Sequence, residues 1–190
     1  RPIFKEYYKE GFLELLKDNV QHVEIRYIFG QLYDEQKQDY PIETAVLDLK
    51  EIEREIQKTH PEFTLKLIYT SLKFLDKNIV EKELEKAYQL KKQYPDFITG
   101  FDLVADEATG NTVGYFSPLW KNMKNLEKKY GVKIPLYLHA GESCSIYNKN
   151  ISEIPLADNK RIGHALNLIY FPSLMEKVKQ QQNLIEISPI

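Results

Sequence analysis

LYLHAGESCS, residues 136–145, runs from an uncharged stretch into His139, two small residues and Glu142, then a serine and the one cysteine of the chain. The apolar part reads as a strand bounded by Pro135 on one side and a small-residue turn on the other. A strand of this kind that ends on a histidine and a glutamate places two ionisable groups at its tip, where each needs a partner, water or a ligand.

Working outward, five more short segments rich in β-branched and aromatic residues read as strands: HVEIRYIF (22–29), TLKLIYTSLKF (64–74), FITGFDLVA (97–105), RIGHAL (161–166) and NLIEISPI (183–190), with IPLYLHA (134–140) as the fourth in order. Most are apolar along their length apart from a single charge, as in strands covered on both faces. Segments of helical period separate them. Ile42, Val46, Leu49, Ile52 and Ile56 recur three or four apart before Pro61; Val80, Leu84, Ala87 and Leu90 do so before Pro95. SPLWKNMKNLEKKYG (117–131) adds a capping Ser117, Pro118 in the first turn and Gly131 as a stop, and FPSLMEKVKQQQ (171–182) supplies another helix. Alternation of strand and helix without a linker predicts one domain with a parallel sheet and right-handed crossovers. No G-x-G-x-x-G or G-x-x-x-x-G-K-[ST] loop favours an open nucleotide-binding sheet.

Polar groups fall mainly at the carboxyl ends of these strands: Glu24 in the first, Asp102, Asp106 and Glu107 in and after the third, His139 and Glu142 at the fourth, His164 in the fifth, Glu186 and Ser188 in the sixth. A (β/α)8 barrel opens all those ends onto one face, where active sites are built. Of the four histidines, two occupy consecutive strand tips, whereas His60 follows a helix and is expected in solvent and His22 merely opens a strand. A neutral imidazole with a carboxyl nearby suits metal-assisted hydrolysis: zinc lowers the pKa of water to near 7, and a second histidine can take its proton. A metal-independent Schiff-base enzyme would instead need a free lysine at a tip, and Lys73 alone lies near one.

The 190 residues are 43% hydrophobic with a net charge of -2, and the pI is about 6.2. Such a chain has no basic field to hold a phosphate backbone, so nucleic acid is not an expected partner. The Lys-Glu segments around Lys91 and Lys128 read as solvated helix faces. No apolar run is long enough to span a bilayer, so no membrane partner is expected. Cys144 permits no internal disulfide and reads as a small residue beside a loop.

TGFDLVADE (99–107), HAGES (139–143), RIGHAL (161–166) and EISPI (186–190), in this order, resemble the adenosine deaminase family. VEIR (23–26) and PDFITG (95–100) bring the likeness nearest to its secreted growth factor branch. The resemblance implies a (β/α)8 TIM barrel, of which residues 1–190 are expected to supply about strands two to seven as one domain incomplete at both ends. It implies hydrolysis of adenosine and 2'-deoxyadenosine to inosine products and ammonia with one zinc ion (Zn2+). His139 would be a zinc ligand, Glu142 the acid that protonates purine N1, and His164 the group that orients the attacking water and takes its proton. Ala105 stands where typical members have glycine and would offer a backbone amide to the purine. Asp106 and Glu107 match the acidic pair that follows, and Glu24 matches a ribose-contacting position. RIGHA replaces the usual RIGHG at Ala165. The family's H-x-H and paired aspartates, which bring the other zinc ligands, do not occur in these residues, so the chain alone is expected to be inactive. Secretion follows from the branch, and a homodimer is compatible with it. The alternative function is a secreted growth-factor-like or binding protein that keeps an inactive deaminase barrel.

Overall fold

Residues 2–17 carry no sequence expectation, yet Phe4, Tyr8 and Phe12 stand four apart, the spacing that aligns side chains on one helix face. They form helix α1 (Pro2–Lys17) in the computed structural model, which describes residues 1–30, 32–143 and 145–188. Cys144, with Pro189 and Ile190 of the last expected strand, lies outside the described residues. By mutual packing the chain divides into two compact units, Arg1–Ile68 and Tyr69–Ile190.

In the first unit the α1 aromatics build a cluster. Tyr8 packs against Phe4 and Phe12 with ring centroids 4.8 and 5.9 Å away, Phe12 meets Phe63 at 5.8 Å, and Phe4 meets Tyr27 at 6.1 Å. Tyr27 belongs to β1 (His22–Ile28), which lies beside β2 (Thr64–Leu72). Helix α2 (Glu43–Gln57) buries Val46, Leu49, Ile52 and Ile56, four of the five residues whose period predicts it. Lys5 and Lys9 of α1 reach Glu51 and Glu55 of α2 at 2.6 and 3.0 Å, exposed pairs that add little stability. Arg1 instead holds the fully buried Asp48 at 2.7 Å, and removal of that cation would strand a charge.

The second unit alternates helix and strand: α3 (Lys77–Gln93), β3 (Ile98–Val104), α4 (Ser117–Tyr130), β4 (His139–Ala140), α5 (Asn150–Glu153), β5 (Arg161–His164), α6 (Pro172–Gln180) and β6 (Leu184–Glu186). Asp76 caps α3 by accepting the Asn78 N–H at 2.8 Å. Ser117 is the first residue of α4 and makes no side-chain cap, while Gly131 ends the helix in a left-handed conformation as expected. β5 pairs in parallel with β4 on one side and β6 on the other.

The fourth expected strand is the one that departs most from a regular ladder. Only His139 and Ala140 pair along it, with single bridges from Leu136 to Phe101 and to Asn159. Pro135 offers no N–H, and side chains replace ladder partners further on. Asn159 accepts the Leu138 N–H at 2.9 Å, and Asp102 accepts the His139 N–H at 3.0 Å.

Burial pushes the Tyr27 phenol up to about 12 from the ordinary 10.0. Its neutral form is favoured in the folded state, so its contribution is whole below pH 10 and is lost as pH rises toward 12. Of the stability that urea denaturation shows being lost across that window, on the order of 2 kcal/mol is expected to be absent in Tyr27→Phe, the remainder belonging to the other buried phenols.

Candidate active site

All the groups described here, Glu24, His22 and His60 apart, belong to the second unit. Three successive strand ends carry the chemistry, since β3 ends beside the 135–140 segment and that segment beside β5. Tyr137 and His139 share one face of their strand. The Tyr137 ring rests on Gly100, where an added Cβ would lie 2.4 Å from the ring, and the Arg161 guanidinium stacks on the same ring at 3.7 Å from its centroid. Arg161 also pairs with Glu186 at 2.9 Å.

The His139 ring lies on Gly163. A Cβ there would come within 2.9 Å of the imidazole, which is the steric reason a glycine precedes His164. Asp102 is fully buried and grips His139 twice, through its backbone N–H at 3.0 Å and through ring Nδ1 at 2.7 Å. A carboxylate only accepts hydrogen bonds, so Nδ1 carries a proton, and in the neutral ring Nε2 is the nitrogen with the lone pair. The His164 ring centroid lies 5.0 Å from that of His139, and His164 Nε2 lies 3.8 Å from Glu142 Oε2. His139, Glu142 and His164 are thus brought together, each partly open to solvent.

Glu107, the second residue of the acidic pair, turns into the protein. Its side chain is fully enclosed. Oε1 accepts from Lys73 Nζ at 2.6 Å, while Oε2 accepts the N–H groups of Gly141 and Glu142 at 2.8 and 3.3 Å and the amide of Asn148. No edge is left for a ligand. Asp106 is exposed and closes a turn by accepting from the Ala108 N–H and the Thr109 hydroxyl, both at 2.9 Å, and those donors hold its carboxyl below the usual range. Glu24 sits half-buried on β1 in the first unit. His22 and His60 bond to the hydroxyls of Thr64 and Thr59, and His60 is half-buried rather than in open solvent.

Two site residues lie outside the sequence-based candidates, Asp102 as the partner of His139 and Lys73 as the partner of Glu107. A lone acid inside an apolar strand and a lysine at a strand end are the available signals, because a buried charge implies an opposite or hydrogen-bonding partner.

The backbone is strained at the mouth. Ala105, His164 and Ala165 have φ of 94°, 70° and 54°, a region that costs a non-glycine residue about 1–2 kcal/mol. This gives a physical reason for glycine at positions 105 and 165 in typical members. Ala105→Gly is expected to raise stability by about 0.5–1 kcal/mol once the greater freedom of the unfolded glycine is subtracted, as read from the urea midpoint.

The family model described as adenosine deaminase matches residues 5–190. The chain is 31% identical over 191 residues to adenosine deaminase 2 of Dictyostelium discoideum, covering 100% of this chain and 35% of that protein. It is 30% identical over 193 residues to adenosine deaminase 2-A of Danio rerio, covering 100% and 38%. It therefore spans little more than a third of the curated relatives it matches. A solved amidohydrolase of Burkholderia ambifaria with bound zinc superposes on 97% of this chain and 47% of its own at 16% identity with a TM-score of 0.73, a likeness of fold. The architecture is a partial (β/α)8 barrel, and the chain belongs to the adenosine deaminase family.

Proposed function

We propose that the chain carries much of the active site of a zinc-dependent hydrolase that converts adenosine and 2'-deoxyadenosine to inosine products and ammonia. One observation carries this: two imidazoles 5.0 Å apart share a mouth with a carboxyl 3.8 Å from the second of them. His139 presents Nε2 with its other nitrogen held by Asp102, the arrangement in which a carboxylate orients a metal-binding histidine. Among the described residues no group of three or more His, Cys, Asp or Glu could hold a metal by itself. Catalytic zinc takes three protein ligands, so the others would come from regions of the complete protein that flank these strands. Zinc held there would supply Lewis acidity that activates water at neutral pH.

The rest is the work of this chain's side chains. Glu142 donates a proton to purine N1, which makes C6 the electrophile. His164 orients the water that attacks C6, takes its proton and passes it to the exocyclic nitrogen, which leaves as ammonia while the C6 hydroxyl returns a proton to Glu142. The Ala105 amide faces the purine in this reading, with Asp106 as a further substrate contact. Lys73 is occupied by Glu107, the His139 carbonyl and Asn150. That favours an uncharged nucleoside over a phosphate-bearing substrate, and it removes the free amine that a Schiff-base enzyme requires. Likeness to the growth factor branch extends the proposal to secretion. Among the described residues no helix is long and apolar enough to cross a membrane.

In the complete protein, Glu142→Gln is expected to lower kcat by about 10³-fold, followed as ammonia release from adenosine. Turnover at the parent rate would remove Glu142 from the role of acid. Asp102→Asn is expected to weaken zinc by about 10–100-fold in a chelator competition, and unaltered affinity would show that the Asp102 contact does not serve a metal ligand.

A further inference from the structure

A fully buried lysine–glutamate pair is an expensive feature, since each ion gives up several kcal/mol of hydration before any attraction is counted. In this chain the pair is Lys73 and Glu107, both side chains wholly enclosed and 2.6 Å apart. Its hydrogen bonds run to the segment that bears Glu142. Lys73 Nζ also donates to the His139 carbonyl at 2.8 Å and toward Asn150 Oδ1 at 3.4 Å, so its three protons point to three acceptors. The Glu107 carboxylate takes the N–H groups of Gly141 and Glu142, and the Glu107 backbone N–H donates to Glu142 Oε1 at 3.1 Å. One residue therefore holds Glu142 at both ends: its main chain through a carboxylate, and its side chain through an amide.

We propose that Lys73 and Glu107 are positioning residues that fix the Glu142 carboxyl at its working place, with Asn148 as a third support. This rests on the reading of Glu142 as the proton donor. Lys73 ties the carbonyl of residue 139 to the carboxylate that grips residues 141 and 142, so the clamp sets the offset between His139 and the acid. The Asn148 amide braces Glu107 Oε2 and the Ser143 hydroxyl, and its carbonyl accepts the Asn150 N–H at 2.9 Å. The loop is thereby fastened to the start of α5. Glu142 is partly exposed, and its side chain would otherwise have rotamer freedom at the moment of proton transfer. A displacement of about 1 Å at a reacting group costs on the order of 10²-fold in rate.

The test is a double-mutant cycle in the complete, zinc-loaded protein, with adenosine as substrate. Glu107→Gln, Lys73→Met and Asn148→Ala are each made with Glu142 intact and again with Glu142→Gln. With Glu142 present, the first two are expected to lower kcat by about 10–100-fold and Asn148→Ala by about 3–10-fold, with KM within about threefold of the parent. With Glu142→Gln already in place they are expected to lower residual turnover by less than about twofold, because no acid remains to be positioned. Equal losses in both backgrounds, or a rise in KM at constant kcat, would overturn the clamp. Parent-level turnover by Glu142→Gln would overturn the acid role itself, a separate result. Where Lys73→Met or Glu107→Gln does not fold, Asn148→Ala, which leaves both members of the buried ion pair in place, carries the same comparison, and amide exchange at Gly141 and Glu142 is expected to quicken in it.

Discussion

A carboxylate sealed from water has to be supplied with donors, and the second unit is organised around supplying them to Glu107. Four groups do so, the Lys73 ammonium, two backbone amides and the Asn148 amide. They come from the end of β2, the turn after β4 and the approach to α5, so satisfying one anion draws three separated stretches of chain to one point. Removal of the Lys73 ammonium in particular leaves a buried charge without its counter-ion.

Asp102, on β3, does for His139 what Glu107 does for the loop beyond it. It completes hydrogen bonding for the main chain of His139 and sets the ring's tautomer at once. Glycine complements these anions by leaving room: Gly163 admits the His139 imidazole and Gly100 the Tyr137 ring. Charge and vacancy together hold the histidine. Packing alone would fix its position but not which nitrogen faces outward.

The helices over 43–57, 77–93 and 117–130 are legible in the sequence because their apolar residues recur at the helical period and become the buried ones, such as Val46, Leu84 and Leu126. The strands at 22–28, 64–72 and 98–104 are legible from β-branched and aromatic runs. Helix α1 escapes such a reading because its stripe is aromatic and interrupted by Gly11, and its stability comes from Phe63 and Tyr27, distant in sequence. At the site, His139, Glu142 and His164 can be read from their places at strand ends. The partners of the acids cannot, since Lys73 and Glu107 are 34 residues apart and nothing local marks them as a pair. Glu107 shows the limit most clearly: an acid beside the mouth looks the same in sequence whether it faces a ligand or the protein.

The short pairing of β4 has a consequence of its own. With two residues in its regular ladder, and with the Leu138 and His139 N–H groups taken by side chains, this strand is aligned on its neighbours in part by Asp102 and Asn159. Side chains alternate between faces along a strand, so a shift by one residue would present Leu138 or Ala140 where the imidazole belongs. Alignment of the strand and chemistry of the site are here a single property: the carboxylate that turns the ring is also one stop against which the backbone is indexed.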